Sequence, residues 1–311
     1  MRCFSPGKPW LARTRSWVLS VLVGLVAAGC HPANQEAREL RAECESGTAA
    51  SCSALGIRLL KGEYILKDAK RGAVLLTKAC DGGIADGCVD LGGLYQNGQG
   101  VARDSAHAFT LLQKGCEGGA ARGCSNLGTL YRAGAGVPRD MARAIALFQQ
   151  GCTGGDQSGC ARLANVYAYG DGVEPDLPRA ATLYQGACEA KDAVGCVGLA
   201  EMYIAGIVPA PDDSSARIML RTACIEQEEA TGCLQLAKAH ESGRGAAQDL
   251  QRATSYYRRA CTGRIGEACY SLGLLYEKGA GVYRSTEEAE RFKQQACQLG
   301  HAPACPRPKG A

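Results

Sequence analysis

Sixteen of the eighteen cysteines in this chain fall into eight pairs, and that pattern constrains the fold more than any other feature. The pairs are Cys44/Cys52, Cys80/Cys88, Cys116/Cys124, Cys152/Cys160, Cys188/Cys196, Cys224/Cys233, Cys261/Cys269 and Cys297/Cys305. Their first members recur every 36 residues, with one step of 37 from Cys224 to Cys261. A fixed period of this length marks a repeat architecture, in which each supersecondary unit buries its apolar face by stacking on its neighbours.

Other columns keep the register. Three positions after each second cysteine comes Leu55, Leu91, Leu127, Leu163, Leu199, Leu236 or Leu272. Seven positions after it comes Tyr95, Tyr131, Tyr167, Tyr203 or Tyr276, with Leu59 and His240 as exceptions. Apolar residues at these offsets share one helical face, the pattern of a buried stripe. Ten positions after it is always glycine, from Gly62 to Gly279, where a helix is expected to end because glycine enters the left-handed cap cheaply. Asp68, Asp104, Asp140, Asp176, Asp212, Asp249 or Ser285 then precedes the next cysteine by 12 residues and reads as an N-cap. Four residues further on stands Gly72 or an alanine, suited to a close helix crossing. Each unit is therefore helix A, a glycine-rich turn and helix B. The chain is expected to be all-α, an α/α solenoid (superhelix) of about seven 36-residue helical hairpins with one disulfide per repeat.

The N-terminus bears on compartment. Arg2, Lys8, Arg13 and Arg15 form a positive segment, followed by an apolar run from Trp17 to Ala28 and then Gly29 and Cys30. This is the layout of an export signal, and small residues directly before a cysteine resemble a bacterial lipoprotein signal, with Cys30 as lipid acceptor. His31 follows where inner-membrane retention favours Asp, so the expected location is the outer membrane, facing the periplasm or the cell surface, with free secretion as the alternative. Removal of the leader leaves 31 Lys plus Arg against 31 Asp plus Glu. A neutral chain lacks the clustered cations that attract phosphate backbones, which argues against nucleic acid.

The cysteines admit two readings. Zinc sites use pairs separated by two to four residues, whereas seven lie between most pairs here, and the chain has only four histidines. An even number of closely spaced partners in an exported chain fits disulfides across the B-to-A bends.

The run Cys124-x-x-Leu127-Gly128-x-Leu130-Tyr131-x-x-Gly134-x-Gly136-Val137-x-x-Asp140, then Ala144, resembles the Sel1-like repeat family, relatives of the tetratricopeptide fold. Similar runs begin at Cys88, Cys160, Cys196 and Cys269. The paired cysteines resemble the secreted cysteine-rich branch of that family, in which each repeat carries one disulfide. Departures are local: Tyr64 stands where the second turn glycine of the first unit is expected, Val208-Pro209 stands there in the fifth, and the sixth has Ala246 and a one-residue insertion between its cysteines.

That branch is often catalogued as β-lactamase-like or penicillin-binding, so the resemblance makes hydrolysis an alternative to scaffolding. Serine enzymes of that type need Ser-x-x-Lys with Lys-Thr-Gly. Ser5-Pro6-Gly7-Lys8 is the one such motif and falls in the leader, and Lys-Thr-Gly is missing from the sequence. Gly98-Gln99-Gly100 and Gly170-Asp171-Gly172 follow helices rather than strands, so they read as turns and not phosphate loops. Glu201, Glu241 and Glu277 come from different repeats and read as solvated helix faces, and His240 reads as a packed residue. No catalytic residue, metal site or cofactor is assigned.

Comparison among the repeats locates a binding face. On helix A the positions two, five and nine after the second cysteine vary and share one face. They hold Asp90, Asn126, Thr129, Arg162, Asn165, Glu201, Gln235 and Lys238. Solenoids commonly bind on an extended concave surface, and in tetratricopeptide-like folds helix A lines it. The expected function is a cell-envelope scaffold or adaptor holding a protein, a peptide or a cell-wall fragment on this face. A secreted effector binding a host or prey protein is a further alternative. The expected organisation is a signal peptide at 1–29, an anchor segment at 30–34, the solenoid at 35–305 and a disordered tail at 306–311.

Overall fold

A computed structural model describes residues 32–212, 214–244 and 247–305. The leader, Cys30 and the tail after Cys305 lie outside the described residues, so the expectations placed on them are not addressed by the structure. Contacts divide the chain into two units that meet between Arg139 and Asp140.

The first unit holds α1 (Pro32–Glu45), α2 (Ala49–Lys61), α3 (Ala69–Asp81), α4 (Ala85–Asn97), α5 (Ser105–Glu117) and α6 (Ala121–Ala133). The second holds α7 (Met141–Thr153), α8 (Gln157–Tyr169), α9 (Leu177–Glu189), α10 (Ala193–Ile204), α11 (Ser215–Ile225), α12 (Ala230–Ser242), α13 (Leu250–Thr262), α14 (Gly266–Lys278) and α15 (Thr286–Gln298), then a 3-10 turn at Ala302–Ala304. The even-numbered helices are the A helices and the odd-numbered ones the B helices. Described residues contain no strand.

The sequence columns explain these boundaries. Gly62, Gly98, Gly134, Gly170, Gly243 and Gly279 each cap an A helix in the left-handed conformation. Asp68, Asp104, Asp140, Asp176, Asp249 and Ser285 each accept a hydrogen bond from the backbone N–H three residues on, satisfying first-turn donors that have no partner within the helix. The turn between A and B is also locked by backbone. The Asp104 N–H donates to the Tyr95 carbonyl at 2.9 Å, and Asp176 to Tyr167 and Asp249 to His240 repeat the bond.

The fifth repeat breaks the rule. Asp212 does not cap α11, which begins at Ser215. Its carboxylate instead accepts from the N–H and hydroxyl of Ser214, both at 2.7 Å. Pro209 and Pro211 precede it, and proline has a fixed φ and no N–H with which to build the usual turn. Gly206 is likewise one residue past the Ala205 cap of α10, though still left-handed at φ 69.

Every B-to-A bend except the one after α11, which is a residue longer, is a Schellman turn. Gly83 N–H donates to the Cys80 carbonyl and Ile84 N–H to Ala79, with Gly83 at φ 86. The same pair of bonds recurs after α1, α5, α7, α9, α13 and α15. Lys191 and Arg264 occupy the left-handed position in two of these bends, which most residues enter at a cost of about 1–2 kcal/mol.

Across every bend lies a disulfide. The bonds are Cys44–Cys52, Cys80–Cys88, Cys116–Cys124, Cys152–Cys160, Cys188–Cys196, Cys224–Cys233, Cys261–Cys269 and Cys297–Cys305, with Cα atoms 4.4 to 4.8 Å apart. The expected bridge in each repeat is present, and the array begins with a bridge that starts ahead of the first hairpin. Cys52 sits in the first turn of α2, and its partner Cys44 belongs to the leading helix α1, which precedes the seven hairpins. Eight bridges therefore serve seven hairpins, each tying a B helix to the segment that follows it. Cys52 is 2% exposed and Cys44 4%, and both pack against Ala79 of α3, so the first bridge seats α1 as a cap on the array.

Packing follows the stripe. The seven leucines three positions after each second cysteine are at most 5% exposed, and the small residue four positions into helix B is buried in every repeat. At Gly72 a Cβ would meet Leu60 at 3.0 Å and the Gly56 carbonyl at 3.1 Å, which shows how closely the two helices cross. The tyrosine column departs from a fully buried stripe: Tyr95, Tyr131, Tyr167 and Tyr203 are half-buried, whereas Leu59, His240 and Tyr276 are enclosed. The rings cover the start of helix B instead, as where Tyr95 meets His107 edge-on at 4.4 Å and Arg179 lies 4.3 Å over Tyr167.

Candidate functional site

Within each unit, neighbouring A helices pack on one another more closely than neighbouring B helices do, most of all α8 with α10 and α10 with α12. The A layer is therefore the inner side of each unit. The buried glycines Gly195 and Gly198 of α10 instead let it sit tightly on the B helix α9, where a Cβ would stand 2.5 Å from Ala187 and 2.3 Å from Tyr184.

The eight variable-face residues divide between the units. In the first, Asp90 on α4 pairs with Arg122 on α6 at 2.8 Å, Asn126 is half-buried, and the Thr129 hydroxyl donates to its own helix at Ser125. In the second, Arg162 and Asn165 lie half-buried on α8, Glu201 on α10, and Gln235 and Lys238 on α12. Here the structure brings several of them together. Tyr169, at the end of α8, donates to Glu201 at 3.3 Å. Gln235 also hydrogen-bonds Glu201, and Lys238 attracts it electrostatically. Lys238 in turn pairs with Glu267 of α14 at 2.7 Å. A polar ladder thus crosses the A helices of four successive repeats.

Beneath it lies a residue that sequence reasoning missed. Tyr184 of α9 is 2% exposed, and its ring lies against Gly198, where a Cβ would stand 2.3 Å from Cε1. Its hydroxyl reaches the inner face and donates to Asn165. Burial, with Tyr169 and Glu201 nearby, pushes that phenol far above its usual range. Tyr257 on α13 repeats the arrangement by donating to Glu241, and burial raises it likewise. Both tyrosines stand four residues before a cysteine, where other repeats carry Leu76, Leu112, Phe148, Leu220 or Lys293. A hydroxyl in an otherwise leucine-rich column was the available signal.

Two of the three glutamates read as solvated are not. Glu201 is half-buried, and loss of water raises its pKa above the ordinary carboxylate range, against the pull of Tyr169, Lys238 and Gln235. Glu241 is half-buried and takes the Tyr257 hydroxyl. Glu277 is exposed as expected; its bond to Lys293 at 2.9 Å holds it below the usual range. His240 is 5% exposed, stacked on Tyr256 with ring centroids 5.6 Å apart. The described cysteines, from Cys44 and Cys52 to Cys297 and Cys305, are all oxidised in pairs and take no part in the variable face. Among the described residues, no group of three or more His, Cys, Asp or Glu could hold a metal ion. No helix among them is long and apolar enough to cross a membrane.

The geometry, a layer of variable polar groups held on closely packed A helices, offers hydrogen-bond donors and acceptors over several repeats rather than one enclosed reaction centre. Comparison with known proteins agrees with the repeat reading. The Sel1 repeat pattern matches seven consecutive segments, residues 49–84, 85–119, 121–156, 157–192, 193–226, 230–263 and 266–301. Among solved structures, the protective antigen c5321 of uropathogenic Escherichia coli, described as displaying an SLR fold, shares 28% identity with a TM-score of 0.53, covering 85% of this chain and 57% of that one. Cysteine rich protein B of Helicobacter pylori is 26% identical over 43% of this chain and 99% of its own, with a TM-score of 0.36. Cytochrome c oxidase assembly factor 7 of Xenopus tropicalis is 36% identical over 58 residues, 18% of this chain and a quarter (25%) of that protein's length.

Proposed function

We propose that this chain, which belongs to the Sel1 repeat family, is an exported scaffold that holds a protein or peptide along the inner face of its A helices. Sel1 repeat proteins are typically protein–protein interaction scaffolds. The observation that carries the reading here is the ladder Tyr169–Glu201–Gln235/Lys238–Glu267. It sets partly desolvated donors and acceptors at repeat spacing on the layer that solenoids use for extended ligands. The first unit adds Asp90, Asn126 and Thr129 on the equivalent helices, and Arg162 and Asn165 extend the set on α8.

Eight disulfides support maturation in an oxidising compartment, since cytosolic reductants keep thiols free. A leader ending at residue 29 would deliver the chain there, and Cys30 would then carry a lipid anchor at the outer membrane. Loss of membrane attachment in Cys30→Ser is the expected result; continued attachment would remove the anchor from the proposal.

The binding face is tested by photocrosslinking in intact cells. A photoreactive residue placed at Asn165 or Tyr169 on the inner face is expected to capture a discrete partner, and one at Thr182 or Gln185 on the outer side of α9 is not. Equal capture from both sides, or capture from the outer side alone, would overturn the assignment.

A further inference from the structure

The first A-to-B turn, like the fifth, lacks the second glycine that most of these turns carry. Four equivalents carry Gly100, Gly136, Gly172 and Gly281, all left-handed. Here Tyr64 adopts that conformation at φ 58, bearing a conformational cost that glycine would avoid, and its ring is 66% exposed. Two residues on, Leu66 is 92% exposed, and Val74 on the adjoining outer side of α3 is 59% exposed. Three of the ten large apolar side chains exposed among the described residues thus fall within 11 positions.

The same stretch concentrates charge. Residues 61–78 contain Lys61, Lys67, Lys70, Arg71 and Lys78 against Glu63 and Asp68, a net charge of 5 − 2 = +3. Asp68 is committed to capping α3, and Glu63 pairs with Lys61 at 3.4 Å. Lys70 and Lys78 lie one turn either side of Val74 and share its face of α3, and Tyr64 and Leu66 stand in the turn that leads into that helix. Because α3 is a B helix, this surface lies on the layer opposite the A face of its unit.

We propose that the Tyr64–Leu66 turn and the outer face of α3 form a docking surface for an anionic phospholipid membrane. Exposed apolar side chains carried on a turn suit insertion among lipid headgroups, where tyrosine concentrates. A protein partner would instead be expected to meet a broad complementary patch. The surrounding lysines and arginine complement an anionic leaflet, and each adds several-fold to partitioning within the screening length. The docking surface would leave the A face open, and it stands independently of the scaffold reading and of the Cys30 anchor.

The test uses a chain beginning at His31, which keeps every described helix and all eight disulfides, with folding verified by circular dichroism. Its sedimentation with vesicles of phosphatidylglycerol and phosphatidylethanolamine is compared with phosphatidylcholine vesicles. Selective binding to the anionic vesicles, weakened by salt, is expected. Leu66→Ser with Tyr64→Gly, and separately Lys70→Glu with Arg71→Glu, should each lower partitioning more than tenfold while the helical spectrum is retained. Binding to neither vesicle, or retention of full binding by either variant, would overturn the proposal. So would equal affinity for soluble polyglutamate that is insensitive to Leu66, which would mark an acidic protein site.

Discussion

Removing the Cys80–Cys88 disulfide should loosen one bend by a calculable amount and leave distant repeats unchanged. Native geometry at this bend does not depend on the sulfurs, because Ile84 N–H to Ala79 at 2.9 Å and Gly83 N–H to Cys80 at 3.1 Å already close it. The bond therefore acts mainly on the unfolded chain. Closing a loop of about nine residues is worth about 2.6 kcal/mol at 25 °C in the chain-entropy treatment. In Cys80→Ala with Cys88→Ala, two sulfurs from side chains 1% exposed are also lost from the cluster of Leu76, Leu91 and Leu94. A small core truncation of this kind adds about 1 kcal/mol. The sum, roughly 3–4 kcal/mol, corresponds to two to three powers of ten in the opening equilibrium, at about 1.4 kcal/mol per tenfold. Native-state hydrogen exchange read by mass spectrometry is the assay. Amides of α3 and α4 should exchange faster by that factor, while those of α13 and α14 keep their protection, because coupling in stacked repeats runs between nearest neighbours. Acceleration below tenfold in α3 and α4, or equal acceleration throughout, would refute the reasoning.

Three further outcomes are expected. Gly100→Ala should cost about 3 kcal/mol or more in urea denaturation, since its Cβ would stand 2.3 Å from the Ala69 carbonyl oxygen at φ 76, whereas Gly119→Ala at φ 91 meets open space and should cost only about 1 kcal/mol. Lys191→Gly and Arg264→Gly, at φ 65 and 67, should each stabilise by up to about 1 kcal/mol in the same measurement, because glycine relieves the left-handed strain. Glu201→Gln should raise Tm at neutral pH and lose that advantage in acid. A carboxyl whose pKa is raised by folding contributes stability that is full below its unfolded value, about 4.3, and lost as pH rises through the folded value; a constant difference across pH would show that Glu201 is not so perturbed.

The repeat, its helix ends and its sulfur pairing were legible in the sequence because each rests on local chemistry. Asp104 caps because its oxygen reaches an N–H three residues away, and Gly98 ends a helix through its own φ. Disulfide partners eight or nine residues apart, such as Cys44 with Cys52 and Cys224 with Cys233, are equally local. The inner face was less legible. Its variable positions could be named, but the joining of Glu201 to Tyr169 and of Lys238 to Glu267 depends on the distance between helices of different repeats. Helical periodicity does not encode that distance. Tyr184 was overlooked because its ring belongs to the core column and only its hydroxyl emerges at Asn165. The misplaced Asp212 cap had a visible cause in the prolines before it.

The sulfur bridges span the bends from B to A and never the turns from A to B, and this asymmetry decides how the chain responds to cutting. A protease that hydrolyses the backbone between Cys116 and Cys124 leaves the two pieces linked through sulfur, so they run together on a non-reducing gel. A single cut at Arg103, between α4 and α5, lies inside no bridged loop and severs the covalent chain outright. The glycine-rich turns are thus the places where one cleavage divides the molecule, and the bends are places where it can be nicked and remain whole.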